Sequence, residues 1–158
     1  MTEAALERWC ERLARAPLVA LDTETTSLAY MEAELVGISL AVTVGEAAYI
    51  PLAHRYPGAP DQLNRERVLE RLKPWLESAA PKVGHHLKYD AHIFENHGVK
   101  LGGIEHDTML ESYVLNSTAA RHDMDSVAGL YLGVTTIKYE DVVGKGAKQI
   151  TFDQVDLD

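Results

Sequence analysis

The stretch LVALDTET (residues 18–25) joins a short apolar run to two acidic residues, and the rest of the chain is interpreted around it. Its first part, Leu18 to Thr23, has the length and character of a buried strand. Because side chains two apart on a strand point to the same face, Asp22 and Glu24 are expected side by side. Neighbouring carboxylates repel each other, which favours a divalent cation such as Mg²⁺ or Mn²⁺. Two solvated acids at a strand end remain the simpler interpretation of this pair alone.

Strand and helix patterns continue on both sides of this stretch. Apolar residues alternate over Glu34 to Val42, and a turn then leads into residues 47–51, which predicts a hairpin. The remaining periodicities predict helices over 2–16, 65–78 and 87–97, a short strand over 82–85, a weaker strand over 99–104, and helices over 108–116 and 124–132 that Asp107 and Asp123 begin. A hairpin followed by strands that alternate with helices predicts an α/β domain around a mixed sheet.

The size of the chain excludes several classes of protein. Its 158 residues suit one ordinary domain, and the single cysteine, Cys10, excludes an internal disulfide and a cysteine-based zinc cluster. No apolar run approaches the roughly 20 residues that a membrane-spanning helix needs, and no secretory signal is visible. We therefore expect a cytoplasmic protein without a membrane partner.

The charge of the chain bears on its partners. Fifteen Lys and Arg residues stand against 24 Asp and Glu residues, which gives a formal net charge of −9. Proteins that neutralise many nucleic-acid phosphates are usually basic, so this balance argues against a purely electrostatic grip on DNA or RNA. It leaves open a partner that reaches the protein through metal ions held by some of the carboxylates.

Two further acids lie beside predicted helix starts. Asp90 lies in the first turns of a helix that follows a strand, which is where α/β folds present their sites. The same position is also that of an ordinary acid stabilised by the helix dipole. For Asp107 we favour a helix cap that accepts backbone N–H bonds. A zinc site is disfavoured, because His92 and His97 do not continue the face shared by His86 and Asp90.

Taken in order, these stretches resemble the proofreading 3'-5' exonuclease domain of bacterial DNA polymerase I. The motifs that carry the resemblance are LDTET (21–25), LVGIS (35–39), AYIP (48–51), VGHHLKYD (83–90), HDTMLESY (106–113), RHDMDS (121–126) and GKG (144–146). The resemblance extends from about Leu18 to Asp158, and the order and spacing of the motifs make it specific. It implies a ribonuclease H-like fold, in which helices flank a five-stranded mixed sheet.

The resemblance also implies a reaction, the two-metal hydrolysis of the last phosphodiester at a single-stranded DNA 3' end. It implies that Asp22 contacts both Mg²⁺ or Mn²⁺ ions, that Glu24 holds the first, and that Asp90 helps to hold the second. Carboxylates can neutralise and place such cations, and the cations can stabilise charge on the phosphate.

The substrate contacts are likewise implied by the resemblance. It assigns Leu28 and Met109 to the terminal nucleotides, Tyr89, Arg121 and Tyr139 to the path of the strand, and His86 to a position that faces the DNA. From the residues alone, Leu28 and Met109 equally suit a core, and Tyr139 equally suits the surface. His85 and His86 stand where relatives usually carry Gln and Asn, so we expect altered contacts there.

The end of the chain predicts a fragment. The segment TFDQ (151–154) has the Thr-x-x-Gln pattern of a capping box, which predicts a new helix just before the chain stops. We expect residues 1–158 to form most of the 3'-5' exonuclease domain of a longer DNA polymerase I, without its C-terminal exonuclease helices and without the polymerase domain that is its partner. The resemblance places a third motif, a Tyr and an Asp, beyond Asp158. An incomplete metal site and weak or absent turnover are therefore expected of this chain.

Two alternatives remain open from the sequence. One is a related exoribonuclease that trims RNA 3' ends, and the other is a non-catalytic domain that supports a polymerase. The blocks at 122–126 and 144–146 favour the DNA polymerase over the exoribonuclease. The presence of Asp22, Glu24 and Asp90 speaks against a domain that has lost its chemistry.

Overall fold

A five-stranded sheet forms the centre of the computed structural model, which describes residues 1–118 and 121–157. The strands are β1 (Val19–Thr25), β2 (Leu35–Thr43), β3 (Glu46–Pro51), β4 (Lys82–Gly84) and β5 (Ile104–Asp107). They lie in the order β3-β2-β1-β4-β5. Strand β2 is antiparallel to β1 and β3, whereas β4 is parallel to β1 and β5 is parallel to β4. The mixed α/β sheet of the predicted ribonuclease H-like fold is confirmed.

Helices flank this sheet; the first five lie at the predicted places, and the sixth was not predicted. They are α1 (Glu3–Leu13), α2 (Arg65–Leu76), α3 (Leu87–Asn96), α4 (Thr108–Leu115), α5 (Met124–Leu132) and α6 (Tyr139–Val143), followed by single 3₁₀ turns at Gly146–Lys148 and Phe152–Gln154. The side chains of Thr2, Asn64, Asp107 and Asp123 each accept a backbone N–H at a helix start. No helix within the described ranges is long and apolar enough to cross a membrane.

The core lies between the sheet and the first three helices. Its most deeply buried apolar side chains include Leu6, Leu13, Leu35, Ile38, Ile50, Leu72, Leu76, Ile93 and Phe94. These residues come from α1, α2 and α3 and from β2 and β3, which are spaced along the whole first two thirds of the chain. Val19 and Leu21 of β1 are buried in the same core, which stabilises β1 in the middle of the sheet, and β1 is the strand that carries Asp22 and Glu24.

The predicted strand over 99–104 is wrong, because β5 begins only at Ile104. Val99 is 2% exposed, and its N–H donates to the carbonyl of Phe94 at the end of α3. Gly103 has a φ of +68°, and a Cβ there would lie 2.2 Å from the carbonyl oxygen of Ala80. Residues 99–103 are thus a tight connection, packed too closely against the 77–80 turn for a strand.

The capping box predicted at Thr151 is also wrong. The Thr151 side chain makes no capping hydrogen bond, and the segment forms one 3₁₀ turn over Phe152–Gln154. The backbone N–H of Arg55 donates to the carbonyl of Asp153 at 2.6 Å. A backbone carbonyl of this segment is therefore paired with the loop after β3, where a continuing helix would have paired it within the segment.

Candidate active site

Three carboxylates from two elements meet at one cleft. Asp22 and Glu24, from β1, and Asp90, from the first turn of α3, line a space of about 480 Å³. The alternation of side chains along β1 brings the first two to the same side, as the sequence predicts. Asp90 reaches them because α3 begins three residues after β4, the parallel neighbour of β1.

Asp90 is held in place by Thr23, the residue between the two other acids. Its Oδ1 accepts hydrogen bonds from the Thr23 N–H at 2.9 Å and from the Thr23 hydroxyl at 2.6 Å. Strand β4 pairs with β1 only at Val19 and Ala20, so Asp90 takes over the role of strand partner farther along β1. With 2% of its surface exposed, Asp90 is a buried acid whose position is fixed by both the strand and the helix.

Burial and mutual repulsion disfavour the ionised forms of these carboxyl groups. Burial raises the pKa of Glu24 to about 7, and the negative charges of Asp22 and Asp90 add to this increase. Burial also raises the pKa of Asp90 to about 7. The hydrogen bond from Thr23 lowers this pKa and the charge of Asp22 raises it, but burial is the dominant cause. The pKa of Asp22 is raised as well, mainly by burial. A cation in the cleft would relieve this repulsion.

The donor chemistry of the cleft fits a hard divalent cation. Asp22, Glu24 and Asp90 supply only carboxylate oxygens, which suit Mg²⁺ and Mn²⁺ better than softer metals. Over the described ranges, no three His, Cys, Asp or Glu side chains are arranged so that they could already hold a metal ion. The Asp90 oxygen that accepts from Thr23 is Oδ1, so this oxygen is already engaged by β1.

Four of the six predicted substrate residues line the same cleft. They are Leu28, His86, Tyr89 and Tyr139. Leu28 is 91% exposed at its mouth, where an apolar side chain could contact a ligand. The Tyr89 hydroxyl donates to the carbonyl of Ser27 at 2.7 Å, so the loop after β1 fixes the ring.

The other two predicted substrate residues, Met109 and Arg121, are not among the residues that line the cleft. Met109 lies in the first turn of α4, half-buried. The Arg121 guanidinium pairs with Asp123 at the start of α5, with 2.8 Å between Nε and Oδ2. Their predicted roles stay predictions, because this arrangement does not bring them to the three carboxylates.

Asp107 is confirmed as a helix cap, and it caps two helices. It accepts the N–H groups of Met109 and Leu110 at the start of α4, at 3.1 and 3.3 Å. It also accepts those of His86 and Leu87 at the start of α3, at 3.1 and 2.9 Å. His86 has a φ of +68°, a conformation that costs a non-glycine residue free energy, so this carboxylate stabilises a strained backbone at the cleft.

Several lining residues have no role in the sequence-based prediction. Thr23 carried one usable signal, because a hydroxyl between two predicted site acids on a buried strand needs a partner. His85 lies in the motif at 83–90, where altered contacts are expected, but no role in the site is predicted for its side chain. The Thr108 hydroxyl donates to the carbonyl of Gly84 at 3.1 Å and therefore accepts from His85 Nδ1 at 2.9 Å. Tyr30, from the loop after β1, gave no periodic signal at all.

Comparisons of the whole chain relate it to known proteins. A family model described as 3'-5' exonuclease, from A-type DNA polymerases, matches residues 1–155. The chain is 53% identical over 161 residues to DNA polymerase I of Pseudomonas aeruginosa, covering all of this chain and 18% of that protein. It is 41% identical to DNA polymerase I of Rhizobium leguminosarum, over 97% of this chain and 17% of that protein. The chain thus spans under a fifth of these relatives.

A solved structure shares the fold and some sequence. Escherichia coli RNase D, described as an exoribonuclease involved in structured RNA processing, superposes with a TM-score of 0.64. The identity is 26%, and the match covers 88% of this chain and 34% of RNase D. The ribonuclease H-like fold therefore also occurs in a nuclease that is described as acting on RNA.

Proposed function

The chain belongs to the 3'-5' exonuclease family of A-type DNA polymerases, and from this we propose that its carboxylate cleft removes nucleotides from single-stranded DNA 3' ends. One observation carries the assignment of the site. Three acids with raised pKa values, the buried Asp90 and the half-buried Asp22 and Glu24, meet in a cleft that also presents exposed apolar and aromatic side chains. Perturbed carboxyl groups that cluster in a cleft are a mark of catalytic sites.

Exonucleases of this family generally depend on divalent metal ions. In this chain Asp22, Glu24 and Asp90 would hold two such ions, Mg²⁺ or Mn²⁺. When bound, the ions supply activation of water and stabilisation of negative charge on the scissile phosphate. The chain's own contribution is to place the carboxylates, and Thr23 does so for Asp90 through two hydrogen bonds.

The walls of the cleft suit the bases of a single strand. Tyr89 and Tyr139 offer rings on which bases can stack, and Leu28 offers an apolar side chain. Stacking tolerates any sequence, because every base has a π face. None of the described lining residues is a Lys or an Arg. The phosphates must therefore be neutralised chiefly by the metal ions, which reconciles a net charge of −9 with a nucleic-acid substrate.

The relatives suggest the setting of the site. Those reported above are DNA polymerases I, several times longer than this chain. We infer that residues 1–158 form most of the exonuclease domain of a longer DNA polymerase I and lack its C-terminal exonuclease helices. A polymerase domain in the same parent chain would then deliver the 3' end to the cleft.

The decisive experiment combines metal binding with release of the 3' nucleotide. Calorimetry with Mn²⁺ and incubation with a 3'-labelled single-stranded DNA would be compared for the unmodified chain, Asp22→Asn and Glu70→Gln. Glu70 is an exposed carboxylate on α2 and serves as the matched control. We expect Asp22→Asn to lose the Mn²⁺ heat, and to lose whatever weak nucleotide release the unmodified chain shows. Equal heats and equal release in Asp22→Asn and the unmodified chain would refute the assignment.

The likeness to RNase D favours one second candidate, removal of nucleotides from RNA 3' ends. The same assay distinguishes it if an RNA of identical sequence competes with the DNA. Preference for DNA supports the polymerase assignment. Faster release from RNA would make RNA the proposed substrate, and the assignment of the three carboxylates would stay the same.

A further inference from the structure

A buried histidine outside the cleft, His54, lies on the connection after β3. It is 4% exposed, and its backbone is fixed by one side chain. The His54 N–H donates to Gln62 Oε1 at 2.8 Å, and Gln62 Nε2 donates to the His54 carbonyl at 2.9 Å. This two-way contact holds the backbone of His54, so the direction of the imidazole ring is set by the loop itself.

Both ring nitrogens of His54 have partners, and the partners fix the tautomer. Nδ1 lies 3.0 Å from the carbonyl oxygen of Val155, which can only accept, so Nδ1 carries the proton. In the neutral ring Nε2 then accepts from the hydroxyl of Tyr49, at 2.7 Å. The ring thus joins β3 to a segment about 100 residues later in the chain.

The Tyr49 end of this contact lies close to Glu24. A Cβ on Gly37 would lie 2.0 Å from the Tyr49 hydroxyl oxygen, so the tyrosine covers Gly37 directly. Gly37 is the residue of β2 that pairs with Glu24 of β1. The charge of Glu24 accordingly helps burial to raise the pKa of Tyr49. His54 is therefore anchored to the part of the sheet that carries a catalytic carboxylate.

The other end of the contact holds the segment that contains Tyr139. The N–H of Arg55 donates to the Asp153 carbonyl, and Arg55 Nε lies 3.2 Å from Asp153 Oδ2. The Phe152 ring lies 5.9 Å from the His54 ring, and it stacks on Tyr139 with centroids 6.3 Å apart and planes at 17°. A continuous line of contacts therefore leads from His54 to a ring that lines the cleft.

Tyr139 needs this support, because its own helix is short. Helix α6 has five residues, of which only Val143 is buried. A helix of this length has little stability of its own in water. The position of Tyr139 therefore depends on what packs against the segment, namely Phe152 and the contacts that hold Phe152.

We propose that His54 is a positioning residue for the cleft. By holding the carbonyl of Val155 and packing against Phe152, it keeps residues 139–155 against the sheet and Tyr139 at the wall of the cleft. The role in substrate binding rests on the proposed function, since Tyr139 matters there only if a nucleic-acid strand enters. The holding of the segment does not rest on it.

The experiment measures the segment, the substrate and the metal separately. His54→Ala and Tyr49→Phe would be compared with the unmodified chain, with His54→Gln as the conservative variant and His106→Ala as a surface control. In His54→Ala we expect amide hydrogen exchange over residues 139–157 to accelerate about tenfold or more. We expect single-stranded DNA to bind about tenfold more weakly, the loss of roughly one stacked base, with Mn²⁺ affinity unchanged within about twofold.

The double variant of His54→Ala with Tyr139→Ala decides whether His54 acts through Tyr139. If it does, the double variant binds DNA no more weakly than Tyr139→Ala alone, because the two changes remove the same contact. His54→Gln should restore part of the exchange protection, and Tyr49→Phe, which removes one hydroxyl, should lose a smaller part.

Unchanged exchange in both His54→Ala and Tyr49→Phe, or losses in DNA affinity that multiply in the double variant, would overturn the proposal. A chain that fails to bind DNA, yet releases the segment in His54→Ala, would instead contradict the proposed substrate. It would leave His54 as the residue that holds residues 139–155.

Discussion

Two concave regions of the molecule differ in size and in chemistry. The carboxylate cleft has a volume of about 480 Å³, whereas a groove between β5, α4 and α5 has about 740 Å³. The groove is walled by apolar side chains, among them Ile104, Leu110, Val114, Leu115 and Tyr131. Volume and apolar lining are the usual marks of a ligand site, and they favour the groove. Of the two regions, only the cleft brings together acids of raised pKa, so side-chain chemistry favours the cleft as the candidate site, whereas volume alone favours the groove.

The two regions also differ in how their side chains are held. In the cleft Asp90 and Tyr89 each have a hydrogen-bond partner from the β1 region. In the groove the apolar residues of α4 stay largely exposed, with Val114 at 89% and Leu115 at 71%. The side chains of the cleft are therefore held by specific hydrogen bonds. The groove, in contrast, forms where the sheet leaves apolar helix faces uncovered.

Among the variants of the cleft and the groove, the largest effect on stability is expected from Asp90, and it depends on pH. Its pKa in the folded chain, about 7, lies above the ordinary value of 3.8, so folding favours the protonated acid. Without divalent cations, stability should be full below about pH 4 and should fall as the pH rises to 7. Asp90→Asn keeps an acceptor for Thr23 and removes the charge. We expect it to be about 2–4 kcal/mol more stable than the unmodified chain at pH 8.

Urea denaturation in EDTA at pH 4 and pH 8 measures this difference. The difference in the free energy of unfolding between Asp90→Asn and the unmodified chain should be larger at pH 8 than at pH 4. A gap of the same size at both pH values would show that the charge of Asp90 costs the fold nothing. The cleft would then lose the feature that distinguishes it from the groove.

A smaller effect, a loss of stability, is expected when Asp107 is substituted, because this residue contributes to both regions. It caps α3, which carries Asp90, and it caps α4, which forms a wall of the groove. Burial favours its protonated form, but hydrogen bonds from four backbone N–H groups outweigh burial and lower the pKa. The charged Asp107 thus stabilises the fold at pH values above its ordinary pKa of 3.8, and this stabilisation is lost as the pH falls through the lowered pKa of the folded chain. Asp107→Ala should cost about 1–3 kcal/mol, the loss of two caps.

Thermal unfolding of Asp107→Ala and Asp107→Asn at pH 7 and pH 3 tests this prediction. The cost of Asp107→Ala should shrink at pH 3, because that pH lies below the ordinary pKa of 3.8 and the stabilisation by the charged cap is being lost there. The asparagine variant should recover part of the loss, since its amide oxygen still accepts. A cost that does not change with pH would mean that the charge is irrelevant and that only the shape of the cap matters.

The parts that the sequence predicts are those that local patterns specify. Alternation placed Asp22 and Glu24 on one face, and helical periodicity gave α1, α2 and α3, because each must bury an apolar stripe. The strand at β5 was misplaced because Val99 is apolar for a different reason, its burial after α3. An apolar residue indicates burial, and it does not indicate which element buries it.

What the sequence could not give are pairings between distant residues. His54 and Val155 are 101 positions apart, and nothing near either residue signals the other. The Thr-x-x-Gln pattern at Thr151 failed for the same reason, since the loop at Arg55 pairs a backbone carbonyl that a longer helix would have used. The partner of Thr23 was likewise out of reach, because Asp90 lies on another element.

The smallest effect is expected in the groove. Leu115→Ser changes a side chain that is 71% exposed, so the free energy of unfolding should stay within about 0.5 kcal/mol of the unmodified chain. Leu72→Ala, at a core position that is 1% exposed, should cost about 2–5 kcal/mol and serves as the buried control. Both values come from urea denaturation at pH 7. If Leu115→Ser costs more than about 1 kcal/mol, the groove supports the fold as the core does, and its exposed side chains cannot be treated as separate from the scaffold that holds the cleft.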